Sequence, residues 1–86
     1  MPYIKTDKRI QLQPIVNKFT EPLEGPGDLS YLITKLAHTY LHQHMESYQT
    51  YNDIIGVLES AKLEIYRRKV AFYEDRKIFE NGDVDR

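Results

Sequence analysis

Apolar residues recur at alternating three- and four-residue spacings along two long stretches of the chain. In the first they are Leu29, Leu32, Ile33, Leu36, Ala37, Tyr40 and Leu41. In the second they fall on two lines, Ile54, Leu58, Ala61, Ile65 and Phe72 on one and Leu63, Tyr66, Val70 and Tyr73 on the other. This spacing follows the 3.6-residue turn and predicts two long helices, over about 28–46 and 50–78. Asp28 is placed to cap the first, and Thr50 with Asp53 three residues later comes close to a capping box for the second. Gly56 weakens that second helix but permits close backbone approach, and Asn81 with Gly82 ends it. The link ESYQT is short enough to fold the pair into an antiparallel hairpin, with Leu32, Ile33, Leu36, Tyr40, Ile54, Leu58 and Ile65 as its core. Ahead of it, Pro14 lacks an N–H and divides the N-terminal region into pieces at 6–12 and 14–20. Ile15, Val16 and Phe19 give the second piece an apolar face for the open side of the hairpin, and EPLEGPG at 21–27 is a loop. The expected architecture is therefore all-α and a single domain over 1–86, with 79–86 as a flexible acidic tail.

Composition makes this hairpin look incomplete. A single core in 86 residues is marginal, and the absence of cysteine removes disulfides and Cys-based zinc as reinforcement. Burial or assembly has to supply the stability. A second helix of 27 residues is roughly 40 Å long, against a radius of gyration of roughly 12 Å for a globule of this length. Part of it must overhang, and one partner helix with a short N-terminal piece can hardly cover both of its apolar lines. Apolar surface left exposed in this way marks an interface, so a homo-oligomer is expected, with a two-fold dimer as the default. The opening MPYIKTDKRIQLQP has no apolar signal core, and no segment approaches the roughly 20 apolar residues of a membrane span. The expected location is the cytoplasm, with no membrane partner. Twelve basic and thirteen acidic side chains leave a net charge of −1, which argues against a dedicated binder of duplex DNA.

The segments PGDLSYLITKL, YNDIIGVLESAKLEIYRR and YEDRKIFENGDV, with the opening MPYI, resemble a family of short uncharacterised proteins from bacteria and their phages. The likeness covers most of the chain and implies a compact single domain without implying an activity. Sequences of that kind carry a proline before YED, where this chain has Phe72. The resemblance thus implies that Phe72 removes a break and lets the last helix run on.

The most specific chemical pattern is Lys62, Tyr66, Lys69, Tyr73 and Arg76, whose 4-3-4-3 spacing aligns cations and phenols on one ridge of a regular helix. Cations bind phosphate oxygens and phenol rings stack on bases, so the ridge suits a small anionic, nucleotide-like ligand, with Arg67 or Arg68 contributed across a subunit interface. Basic stems and tyrosines at helical spacing also serve purely as packing. His38 and His42 stand four apart with His44 and Glu46 nearby, yet no third ligand has a diagnostic spacing, so no metal site is expected. Glu59, Glu64, Glu74 and Asp75 raise the possibility of a magnesium-dependent nucleotide pyrophosphatase. None of these four forms an ExxE pair, and Glu59 with Lys62 and Glu64 with Arg67 or Arg68 sit at ordinary ion-pair spacing. Ser30, Ser47 and Ser60 lack motif context, and GPGD lacks the P-loop lysine. The expectation is a non-enzymatic protein without cofactor, either an oligomer that sequesters an anionic ligand or an adaptor or inhibitor that docks an exposed helix face on a host protein.

Overall fold

The computed structural model describes residues 3–85, so Met1 and Pro2 of the MPYI opening and Arg86 of the acidic tail lie outside the described residues. The regular structure is all helical: α1 (Thr6–Thr20), α2 (Pro26–Gln43), α3 (Tyr48–Ile65), a π-helical segment (Tyr66–Val70) and α4 (Ala71–Asn81). The all-α class therefore stands. The chain divides into two compact units, one up to Ile54 and one from Ile55 onward, with the boundary inside α3.

In the first unit α1 passes through Pro14 without a break, which corrects the expected division at 6–12 and 14–20. Proline forfeits the one bond its N–H would make to the Ile10 carbonyl, but its fixed φ is helical, and the neighbouring turns keep their own bonds. A side-chain bridge spans the defect, Gln13 Nε2 donating to Asn17 Oδ1 at 2.9 Å. Helix α2 starts two residues earlier than expected, because Pro26 is preorganised for the first helical position and Gly25 takes the cap. Asp28 is thereby moved from the cap to the third helical residue. Its carboxylate reaches back to accept the Glu24 N–H at 3.0 Å, one residue ahead of the Gly25 cap.

The turn between α2 and α3 is the best-bonded part of this unit. Helix α2 ends at Gln43, where the His44 ring stacks on Tyr40 with 4.1 Å between centroids, and Met45 follows with φ 58° in the left-handed region. Thr50, expected at the cap, is instead the third residue of α3. Ser47 does the capping, its Oγ accepting the Thr50 N–H at 3.1 Å. The Thr50 hydroxyl donates to the Met45 carbonyl at 2.9 Å and lies 3.0 Å from Ser47 Oγ. With 7% of its surface exposed, Thr50 is the one buried polar residue among those described. Asp53 takes no part in a box and accepts from Gln49 Nε2 at 2.7 Å, while the Tyr51 hydroxyl donates to Glu46.

Neither unit assembles by itself the core expected of the hairpin. Among the described residues no apolar side chain is buried. Leu32 and Ile54 are half-buried, and Ile33, Leu36, Tyr40, Leu58 and Ile65 are exposed, Leu36 at 50% and Leu58 at 40%. The physical reason is that an amphipathic helix offers one apolar stripe and needs a second layer to cover it. In the second unit helical structure continues past the expected end at 78, through Phe72 and on to Asn81, so residues 79–81 of the expected tail belong to α4. Among the described residues no helix is long and apolar enough to cross a membrane.

Two substitutions test the turn. Thr50→Val keeps the volume and the backbone bond to Ser47 Oγ but removes the hydroxyl's bond to the Met45 carbonyl, and is expected to cost about 0.5–1.5 kcal/mol. Met45→Gly relieves the left-handed conformation and is expected to add up to about 1 kcal/mol. Unfolding midpoints at one fixed protein concentration measure both, and an unchanged midpoint for Thr50→Val would show that the hub contributes nothing.

Candidate functional site

The site is built on the π-helical segment of the second unit. The Ala71 N–H bonds the Tyr66 carbonyl five residues back, where an α-helix would use the fourth. One extra residue in a turn sets everything beyond it back by about 100° relative to an uninterrupted α-helix. The single ridge of Lys62, Tyr66, Lys69, Tyr73 and Arg76 is consequently split, which corrects the alignment read from regular spacing. Lys62 and Tyr66 stay on one line, and Lys69, Tyr73 and Arg76 form another. The same offset carries Phe72 away from the line of Leu58 and Ile65 and brings Tyr73 onto it.

Upstream of the offset the polar groups are taken up locally. Lys62 Nζ lies 3.1 Å from Glu59 and Arg67 lies 3.0 Å from Glu64, the ion pairs expected from their spacing. A widened turn plus an ordinary one brings residue 74 above residue 66, and the Tyr66 hydroxyl donates to Glu74 Oε1 at 2.6 Å. That hydrogen bond, with the Glu74 charge, some desolvation and the Asp75 charge, holds the Tyr66 phenol above its ordinary pKa. Glu46 raises Tyr51 in the same way, first through its hydrogen bond, then with desolvation and its own charge.

Downstream the picture changes. Arg68, Lys69, Tyr73 and Arg76 line one open concavity with Phe72, Phe79 and the carboxylates of Asp75 and Glu80. The Arg76 guanidinium lies 5.7 Å from the Tyr73 ring centre and Lys77 Nζ 5.5 Å from it, both within cation–π range. Lys77 is also paired with Glu80 at 3.2 Å. Among the described residues Arg68, Lys69 and Arg76 form no ion pair. Three cations without a carboxylate partner beside aromatic rings can hold an anion that carries an aromatic group. Of the seven residues singled out in the sequence, the structure brings four together and leaves Lys62, Tyr66 and Arg67 apart. Phe79 was missed, although it repeats Phe72 at a seven-residue interval. Among the described residues no three His, Asp or Glu side chains converge as metal ligands.

The chain belongs to the family described as a domain of unknown function, DUF6899, which matches residues 1–84. No curated protein and no solved structure matches it.

The raised phenols fix a pH dependence. A group whose folded pKa is raised contributes stability that is present below its unfolded value, about 10 for tyrosine, and is lost as pH rises through the folded value. Titrating phenolate absorbance is therefore expected to show a late component above pH 10. It should shrink in Tyr66→Phe and disappear in the double variant with Tyr51→Phe. A full-size late component in the double variant would place the shifts on other tyrosines.

Proposed function

We propose that this DUF6899 protein acts by stoichiometric binding, as an oligomer that sequesters a small anionic, nucleotide-like ligand on the line of Lys69, Tyr73 and Arg76, with Arg68 beside it. The observation that carries the reading is the gathering of cations without carboxylate partners around Tyr73. Ordinary helix faces neutralise their cations at i,i+3 or i,i+4, as Glu59 does for Lys62 and Glu64 for Arg67. Here the charge is left available, and each charge-assisted hydrogen bond to phosphate gains further where a neighbouring subunit excludes water. Self-association supplies that neighbour, and the exposed apolar side chains of both units support it. The biological setting this reading implies is a protein of bacteria or their phages that soaks up a signalling nucleotide.

A second reading, an adaptor or inhibitor for a host protein, is favoured by one specific observation, the exposure of Phe72 and Phe79 two turns apart on the same side of one helix. Paired aromatic anchors of this kind suit a helix laid in an apolar groove.

A thermal-shift series with nucleotides and cyclic dinucleotides separates the two, because a ligand that binds only the folded state raises the melting temperature by mass action. Lys69→Glu is expected to remove the shift, weakening binding at least about tenfold, which corresponds to about 1.4 kcal/mol. Lys62→Glu should leave it nearly intact, since that lysine lies on the other line. Circular dichroism and sedimented mass should be unchanged in both. Normal binding by Lys69→Glu would move the site elsewhere, and no shift with any nucleotide would favour the adaptor.

A further inference from the structure

We infer that α4 pairs antiparallel with α4 of a second copy about a two-fold axis between Asp75 and Arg76. The inference rests on the self-association in the proposed function and adds the face and the register. Phe72 is 65% exposed and Phe79 92%, and both line one concavity with Arg68, Asp75 and Arg76. Two phenylalanines seven residues apart stand on the same side of a helix, two turns from each other. An exposed pair this large needs a cover, and charge decides which cover fits.

Antiparallel self-pairing has three registers that set phenylalanine against phenylalanine. Centring on Phe72 places Arg68 opposite Arg76 of the second copy. Centring on Phe79 runs Phe72 past the end of the facing helix at Asn81 and leaves it uncovered. The first sets like charges against each other, as does parallel pairing, which stacks Arg68, Asp75 and Arg76 on themselves. The remaining register, centred between Asp75 and Arg76, sets Phe72 against Phe79 of the second copy on both sides of the axis. It also pairs Asp75 with Arg76, twice by symmetry, and leaves Arg68 opposite Asp83 just past the helix end. Apolar contact and charge agree in this register alone, as a self-complementary two-fold seam requires. Lys69 and Tyr73 lie roughly 100° around the helix from this line, so the seam adjoins the anion site, takes Arg68 and Arg76 for its own pairs and leaves Lys69 and Tyr73 to the anion.

The chain contains no cysteine, so the register can be read directly by disulfide trapping. Mixing Phe72→Cys with Phe79→Cys under mild oxidation is expected to give a crosslinked pair, because directly facing Cβ atoms meet the separation a disulfide needs. Either variant alone should crosslink at least about tenfold less. Arg76→Asp, which faces Asp75 with a second carboxylate, should weaken association at least about tenfold, and the exchange Asp75→Arg with Arg76→Asp should restore it. Predominant Phe72→Cys or Phe79→Cys self-crosslinks would overturn the register. An oligomer in sedimentation without the mixed crosslink would overturn the seam while leaving the proposed assembly standing. A 10.2 kDa monomer at tens of micromolar would overturn both and leave the face to a foreign protein.

Discussion

A helix satisfies its own backbone hydrogen bonds but cannot hide its own apolar stripe, and this division governs the rest of the molecule. Helices of fewer than about 15 residues are marginal in water, and longer ones gain most of their stability by packing an amphipathic face. Burial of each large apolar side chain contributes about 1.5–3 kcal/mol, a contribution neither unit obtains in full alone. What each unit does secure is local and polar: the Ser47 cap, the Thr50 hub, the Asp28 back-bond and the Gln13 to Asn17 bridge. Bonds of that kind set where helices start and stop. They do not by themselves supply the energy to keep a chain of this size folded.

Helix type and approximate extent were legible from the spacing of apolar residues, because periodicity is a property of many positions together. The details that failed were each decided by a single residue. Pro14 suggests a break because its missing bond is visible in the sequence and the bridge across it is not. Asp28 and Thr50 suit the role of caps, but Pro26 and Ser47 lie slightly earlier and take the starts from them. Burial was the largest miss. A stripe in the sequence shows that a side chain wants cover without showing which surface provides it.

For the candidate site, residue types were legible and their alignment was not. Spacing arguments assume a constant turn, and YRRKV does not advertise a widened one: it has no proline or glycine, and its residues also suit an α-helix. The offset separates a ridge of five into a neutralised group and a charged one. Lys62 and Tyr66 are absorbed by Glu59 and Glu74, while Lys69 and Arg76 are left with Tyr73. The distinction between a neutralised helix face and a charged one is made here by one carbonyl, that of Tyr66, which accepts from Ala71 instead of Val70.

Seen from the gene, that widened turn is a single codon. Removing any one residue between Tyr66 and Val70 would close the turn to an ordinary one and leave Phe72, Tyr73 and the later cations on the lines they already occupy. The same deletion in a regular stretch of helix would turn everything beyond it by about 100°. The widened turn is therefore the one place in this helix where the chain can lose a residue without re-aiming the face that follows.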